Sequence, residues 1–244
     1  MSDGFTGFPS DALRFLRQLK RHNNRPWFLK HRETYEQEVK APMVQLVLAL
    51  GREIRKFAPE MAVDPSRAIY RIYRDTRFSH DKSPYKTQIA AVFSPREFPK
   101  HTAAGLYFHV SPNEVEIAGG IYMPGSAELL AIRRHISEQP EKLRAILEGK
   151  EFKRLFGGLW GEQLSRVPRG FPADHPAADL LRYKQFLVDV TQPADLATTP
   201  GLFRVIVQHF QTMMPLVRFL NFPLKPDRSS KFKVQGSRLQ NLQL

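Results

Sequence analysis

Gly105-Leu106-Tyr107-Phe108-His109-Val110-Ser111-Pro112-Asn113-Glu114-Val115-Glu116-Ile117 is the stretch that decides the fold class. Leu106, Phe108 and Val110 alternate with Tyr107, His109 and Ser111, the period of a strand with one buried face. Pro112-Asn113 supplies turn chemistry between two such runs. With a tight, even loop, Val110 faces Val115 and Phe108 faces Ile117, while Tyr107, His109 and Glu116 share the other face.

Two further strand-like runs precede this hairpin, Ile69 to Arg74 and Thr87 to Phe93, and the hairpin's second arm continues to Tyr122. The flanks change period. Ser10 and Asp11 open a helix in which Leu13, Phe15, Leu16 and Leu19 form one stripe. Asn23-Asn24-Arg25-Pro26 ends it and opens a helix over Trp27 to Val39; Pro42 starts a third, running to Phe57. On the far side, Ser126 onward places Leu129, Ile132 and Ile136 together, and Glu141 to Leu147 reads as a short helix. Asp174-His175-Pro176 starts another. Thr199-Pro200 opens a long one carrying Phe203, Ile206, Phe210, Met213 and Val217, with Pro215 near its end. The expectation is α+β: a central antiparallel sheet of four to five strands flanked by N-terminal and C-terminal helices. Residues 1–224 are expected to form one domain, and 225–244 a basic, flexible tail.

Composition narrows the function classes. The chain has no cysteine, which removes disulfides, thiolate metal sites and cysteine nucleophiles and fits a reducing, cytoplasmic setting. Met1 to Phe8 lacks the basic start and apolar run of a signal peptide. The longest apolar stretch, Met43 to Leu50, is too short to span a bilayer, so no membrane partner is expected. Net charge is +13. Residues 67–86 and 225–244 hold 8 of those 13 excess charges, so the positive charge is local rather than spread evenly.

The first of these patches contains Arg71-Ile72-Tyr73-Arg74-Asp75-Thr76-Arg77-Phe78-Ser79-His80-Asp81-Lys82-Ser83-Pro84-Tyr85-Lys86. Arginines spaced by three do not share a strand face, so the strand should end near Arg74 and a loop follow. A loop can turn Arg71, Arg74, Arg77, Lys82 and Lys86 toward one point, and guanidinium is the best-shaped group for phosphate or carboxylate. Phe78 and Tyr85 offer rings for stacking, and Ser79 a hydroxyl. Asp75 and Asp81 could orient arginines, move a proton or help hold a divalent metal. His109 and Glu116 form a second acid–base candidate beside Tyr107.

Three readings stay open. The favoured one is a pocket for a phosphate-bearing small molecule or other anion. An enzymatic one is metal-assisted phosphoester hydrolysis, with Asp75, Asp81, His109 and Glu116 as the catalytic groups. The third is an internal ion-pair latch in a structural or nucleic-acid-binding protein. None of the eight histidines has zinc-type spacing, so a histidine-based metal site is not expected; no phosphate-binding glycine loop or nucleophile elbow occurs, and the sequence names no cofactor. Arg133-Arg134 reads as a solvated helix pair, and Trp27-Phe28 and Trp160 read as core.

The run Arg74-Asp75-x-Arg77-Phe78-Ser79-x-Asp81-Lys82-x-Pro84-Tyr85-Lys86 resembles the hallmark of a family of uncharacterised proteins, the domain of unknown function 2461 family. In order, Asn23-Asn24 with Trp27-Phe28, Gly119 to Tyr122 with Pro124, Leu129 and Arg133, and Leu164 through Phe171 with His175-Pro176 resemble its other landmarks. Arg182 with Lys184, and Pro215 to Asn221, extend the likeness over about residues 5 to 222. The resemblance implies one domain and supplies neither substrate nor catalytic residue. It draws Arg166, Arg169, Arg182 and Lys184 into view as further ligand-binding cations, should their loop fold over the 71–86 segment.

Overall fold

The computed structural model describes residues 4–225, so the expected tail lies outside the described residues apart from Lys225. Four strands, β1 (Ile89–Phe93), β2 (Gly105–Val110), β3 (Glu114–Ile121) and β4 (Phe186–Pro193), pair antiparallel in the order β1-β2-β3-β4. The helices Ser10–Arg21, Arg25–Lys30 and Ala41–Phe57 precede this sheet, and the 21-residue helix Gly201–Asn221 follows it. The protein is therefore α+β, with the expected antiparallel sheet between N-terminal and C-terminal helices.

The β2–β3 hairpin has the register its alternation requires: Val110 opposite Val115, Phe108 opposite Ile117 and His109 opposite Glu116. Ser111 builds the turn. Its Oγ accepts from the amides of Asn113 and Glu114, at 3.2 and 3.1 Å, and donates to the Glu114 carbonyl. One face of the sheet meets the long C-terminal helix, where Phe210 lies 5.8 Å from Phe93 and 6.5 Å from Phe108, ring centre to ring centre. Phe93, Phe108 and Phe210 are fully buried, and each large apolar side chain so placed contributes about 1.5–3 kcal/mol. Gly119 allows the close approach: a Cβ there would stand 2.7 Å from the Met213 sulfur.

Three expectations need correction. The run Ile69 to Arg74 is not a strand. It makes isolated pairings, Ile69 with Ala91 and Tyr73 with Tyr85, because its hydrogen bonds go first to β1 and then to residues 84–86. The helix expected over Trp27 to Val39 is broken: Arg25–Lys30 ends at His31, and a π-helical turn, Tyr35–Lys40, leads into Ala41–Phe57. The helix after His175-Pro176 has only four residues, Ala178–Leu181. Strand β4 was not among the expected strands, although Phe186, Val188 and Val190 alternate with Leu187, Asp189 and Thr191.

Candidate functional site

The sheet face turned away from the long helix carries rows of side chains across all four strands. One row runs Val92, Tyr107, Ala118, Asp189; the next brings His109 and Glu116 together with Thr191. A third joins Gly105, Gly120 and Leu187. Because Gly105, Ala118 and Gly120 carry little or no side chain, this face is hollow and forms the floor of a pocket of about 600 Å³. Gly120 has φ 121°, and a Cβ there would lie 2.0 Å from the Phe186 carbonyl oxygen, so the floor admits only glycine at that point.

Aromatic groups from loops make the walls: Tyr70, His101, Tyr122 and Trp160. Trp160, expected in the core, is 44% exposed here, because its backbone pairs with Leu187 at the outer edge of β4 and leaves the indole at the rim. Among the described residues, the two non-glycine residues with left-handed backbone are His101 (φ 71°) and Met123 (φ 48°), and both line this pocket. Each such conformation costs about 1–3 kcal/mol, a strain that clusters at functional sites.

Two lysines approach the ring of the wall residue Tyr70 without lining the pocket themselves: Lys86 lines the cleft beside the 71–86 loop, and Lys100 a small recess with Arg67 and Phe98. The Lys86 ammonium lies 5.0 Å and the Lys100 ammonium 4.5 Å from the centre of the Tyr70 ring. Each donates to a backbone carbonyl, Lys86 to Arg71 and Lys100 to Arg67, and neither meets a carboxylate among the described residues. Partial desolvation, then the neighbouring positive charges, push both lysines below their ordinary pKa: Arg71 and Lys100 act on Lys86, and Arg67 acts on Lys100. Desolvation and Lys100 likewise lower His101, whose Nδ1 is 3.4 Å from the Tyr70 hydroxyl.

Polar groups occupy the floor beside them. Gln88 donates to the Tyr107 hydroxyl at 3.3 Å, and that hydroxyl lies 3.1 Å from His109 Nδ1. The same Nδ1 is 3.1 Å from Glu116 Oε2. His109 and Glu116 thus stand together as the register implies. Burial and the Glu116 charge hold Tyr107 firmly protonated. Asp189, one row away on β4, is raised by burial and by Glu116, against a hydrogen bond from the Trp160 indole.

The remaining sequence candidates divide. In the 71–86 loop, Asp75 takes the Arg77 guanidinium through both oxygens, at 3.0 and 2.8 Å, and Asp81 takes Arg74 and the Ser83 amide. Lys82 donates to the Thr76 carbonyl at 3.0 Å, and the Ser79 amide lies 3.4 Å from the same oxygen. Asp75 and Asp81 are accordingly held below the usual carboxylate range, by Arg77 in the first case and by Ser83 and Arg74 in the second. Tyr85 is buried and stacks on Phe28 at 4.1 Å. Phe78 stands 93% exposed at the loop tip, with Arg77 5.7 Å from its ring centre. Lys86 links this loop to the Tyr70 wall: its ammonium approaches the Tyr70 ring, and it lines a cleft of about 640 Å³ with Lys20, Arg74 and Asp81.

Arg182 and Lys184 line neither space. Arg182 borders a separate cleft with Arg166, and Lys184 pairs with Glu162 at 3.0 Å. Arg133, read as solvated, is buried and donates to the Tyr183 carbonyl at 2.9 Å, whereas Arg134 is exposed. Among the described residues no three His, Asp or Glu side chains gather as metal ligands, and no helix is long and apolar enough to cross a membrane. Reading the sequence missed Tyr70, Lys100, His101 and Asp189. Only Asp189 left a signal, as a polar position alternating within an apolar strand; the others come together through loop packing that no local pattern records.

A family model described as "Conserved hypothetical protein (DUF2461)" matches residues 11–219. No curated protein matches the chain.

Proposed function

This chain belongs to the DUF2461 family of conserved hypothetical proteins, and on that premise we propose that it binds a phosphate-bearing or otherwise anionic small molecule beside Tyr70, at the margin of the sheet-face pocket. The observation that carries the reading is the convergence of Lys86 and Lys100 on Tyr70 with no carboxylate beside either. Two partly desolvated ammonium groups near one ring are each disfavoured in their charged form unless something negative joins them. A bound phosphate would accept charge-assisted hydrogen bonds from both ammonium groups, with Arg71 adding positive potential nearby. A pocket of about 600 Å³ with aromatic walls has the size and character of a small-molecule site. A cytoplasmic setting, supported by the cysteine-free composition, is part of the same reading.

Calorimetry and thermal unfolding with inorganic phosphate and phenyl phosphate test it, comparing wild type with Lys86→Met and Lys100→Met. A ligand present at 100 times its dissociation constant should stabilise wild type by about 2.7 kcal/mol and either variant far less. Equal response in all three proteins refutes the site. A second reading, nucleic-acid binding, rests on the exposed Phe78 ring beside Arg77, since such a tip can stack on an unpaired base. It requires an affinity that falls steeply with salt and is lost in Phe78→Ala.

A further inference from the structure

The residues lining the sheet-face pocket include one carboxylate, Glu116, and no lysine or arginine. Glu116 stands on β3 two residues before Ala118 and four before Gly120, and all three line the pocket. A strand rises about 3.4 Å per residue, so a nearly bare strip of sheet runs roughly 14 Å from the carboxylate to the glycine. Glu116 Oε2 faces His109 Nδ1 at 3.1 Å, its side chain is 30% exposed, and its Oε1 meets no donor among the described residues. An ionised carboxylate accepts about four hydrogen bonds, so most of that capacity stays open to the pocket. Around the strip stand the rings of Tyr70, Tyr107, Tyr122 and Trp160. Tyr70 and Tyr107 meet edge to face at 6.3 Å, and Tyr122 and Trp160 stand exposed at the rim.

We propose that this pocket binds a flat heteroaromatic ring that turns a ring N–H and a neighbouring exocyclic amino group toward Glu116, the donor edge shared by guanine and the pterins. A carboxylate calls for donors, and two adjacent N–H groups meet it with paired, charge-assisted hydrogen bonds. A full cation is disfavoured, because the Lys86 and Lys100 ammonium groups lie 5.0 and 4.5 Å from the centre of the Tyr70 ring, a wall of the pocket. An anion against Glu116 would set like charges together. A neutral donor edge avoids both repulsions. The flatness follows from the floor: Ala118 and Gly120 raise almost no side chain, so a fused ring can lie over them. The aromatic walls offer faces and edges on which such a ring stacks. The proposal goes beyond the anion reading, assigns no ligand contact to either lysine, and holds whether or not an anion binds beside Tyr70.

Four phosphate-free probes test it on the full chain. Guanosine and pterin carry the donor edge; inosine and lumazine are their counterparts with the amino group replaced by hydrogen and by an oxo group. Isothermal titration should show wild type binding guanosine, pterin or both, each about tenfold or more tightly than its amino-free counterpart. The probe that responds tells a nucleoside from a pterin. Glu116→Gln, which keeps the shape and removes the charge, should weaken that binding about tenfold and erase most of the margin. Ala118→Leu, which fills the floor and leaves Glu116 in place, should abolish binding of either ring. Lys86→Met and Lys100→Met should leave it unchanged, so their response to phosphate bears on the anion site alone. The assignment is overturned if neither ring binds wild type, if the amino group confers no margin, if the margin survives Glu116→Gln, or if Ala118→Leu binds as wild type does. Melting curves establish that each variant is folded; should Glu116→Gln fail to fold, the wild-type margin and Ala118→Leu decide.

Discussion

Asn23 meets both backbone polar groups of Tyr85, donating through Nδ2 to the carbonyl at 2.9 Å and accepting from the amide through Oδ1 at 3.0 Å. A side-chain amide thus substitutes for a neighbouring strand at the base of the 71–86 loop. Tyr85 is 3% exposed, so its backbone has no water to turn to if Asn23 is removed. Asn23→Ala should cost about 1–3 kcal/mol, the penalty for unpaired buried polar groups. Urea unfolding measures this; a loss below about 0.5 kcal/mol would show that the pair is not a structural tie.

How much of this could be read beforehand depends on how local the cause is. The hairpin register was legible because Phe108, Val110, Val115 and Ile117 alternate on one face and the Pro112-Asn113 turn fixes the loop. Helices with long apolar stripes, such as Phe203 to Val217, were legible for the same reason. Asn23-Asn24 was read as a helix junction. Asn24 does cap the next helix, accepting from the Trp27 amide, but the bond from Asn23 to Tyr85 spans 62 residues and leaves no periodic trace. The arginine-rich loop was conspicuous in composition, yet composition cannot say that Asp75 and Asp81 each take one arginine. Lys100 looked like any surface lysine. Its meeting with Lys86 over Tyr70 exists only because two loops fold against β1.

The ion pairs of the loop make its order dependent on acid. Asp81 is held below the usual carboxylate range by Ser83 and Arg74, and its lowered value in the folded state means that it supports the loop at neutral pH. That support is lost as pH falls through the depressed value, below the ordinary carboxylate pKa near 4. Protection factors of amides 75–83, taken against the intrinsic exchange rate at each pH, should therefore fall on strong acidification in wild type. In Asp81→Asn the same amides should exchange fast already at neutral pH, with the melting temperature changed little because the pair is solvent-exposed. Wild-type exchange in Asp81→Asn at neutral pH would dismiss the latch.

The pocket floor makes a steric prediction. Gly120 combines φ 121° with a Phe186 carbonyl oxygen 2.0 Å from where a Cβ would stand, and neither the strand nor its neighbour has a flexible group to yield. Gly120→Ala should destabilise the fold by roughly 2–3 kcal/mol or more, from backbone strain and forced separation of β3 and β4. A melting temperature within 2 °C of wild type, about the shift of a mild surface change for a chain this long, would contradict this.

The lysine pair makes the prediction that most directly joins stability to function. Lys86 and Lys100 have pKa values lowered in the folded state, by desolvation first and then by positive neighbours, so protonation at neutral pH opposes folding. In buffer free of multivalent anions, stability should rise as pH climbs through the lowered values toward the ordinary lysine value near 10.4, because the folded state releases these protons before the unfolded state does. Lys86→Met and Lys100→Met should be more stable than wild type at pH 7 and should lose this alkaline gain. Added phosphate should reverse the ranking: the ligand rescues wild type at pH 7, and its effect should fade as pH rises and the ammonium groups discharge. A melting-temperature series from pH 7 to 10, with and without phosphate, reads all five expectations. Lysine variants less stable than wild type in anion-free buffer would mean that the two cations hold the fold together, and the case for an anion between them would collapse.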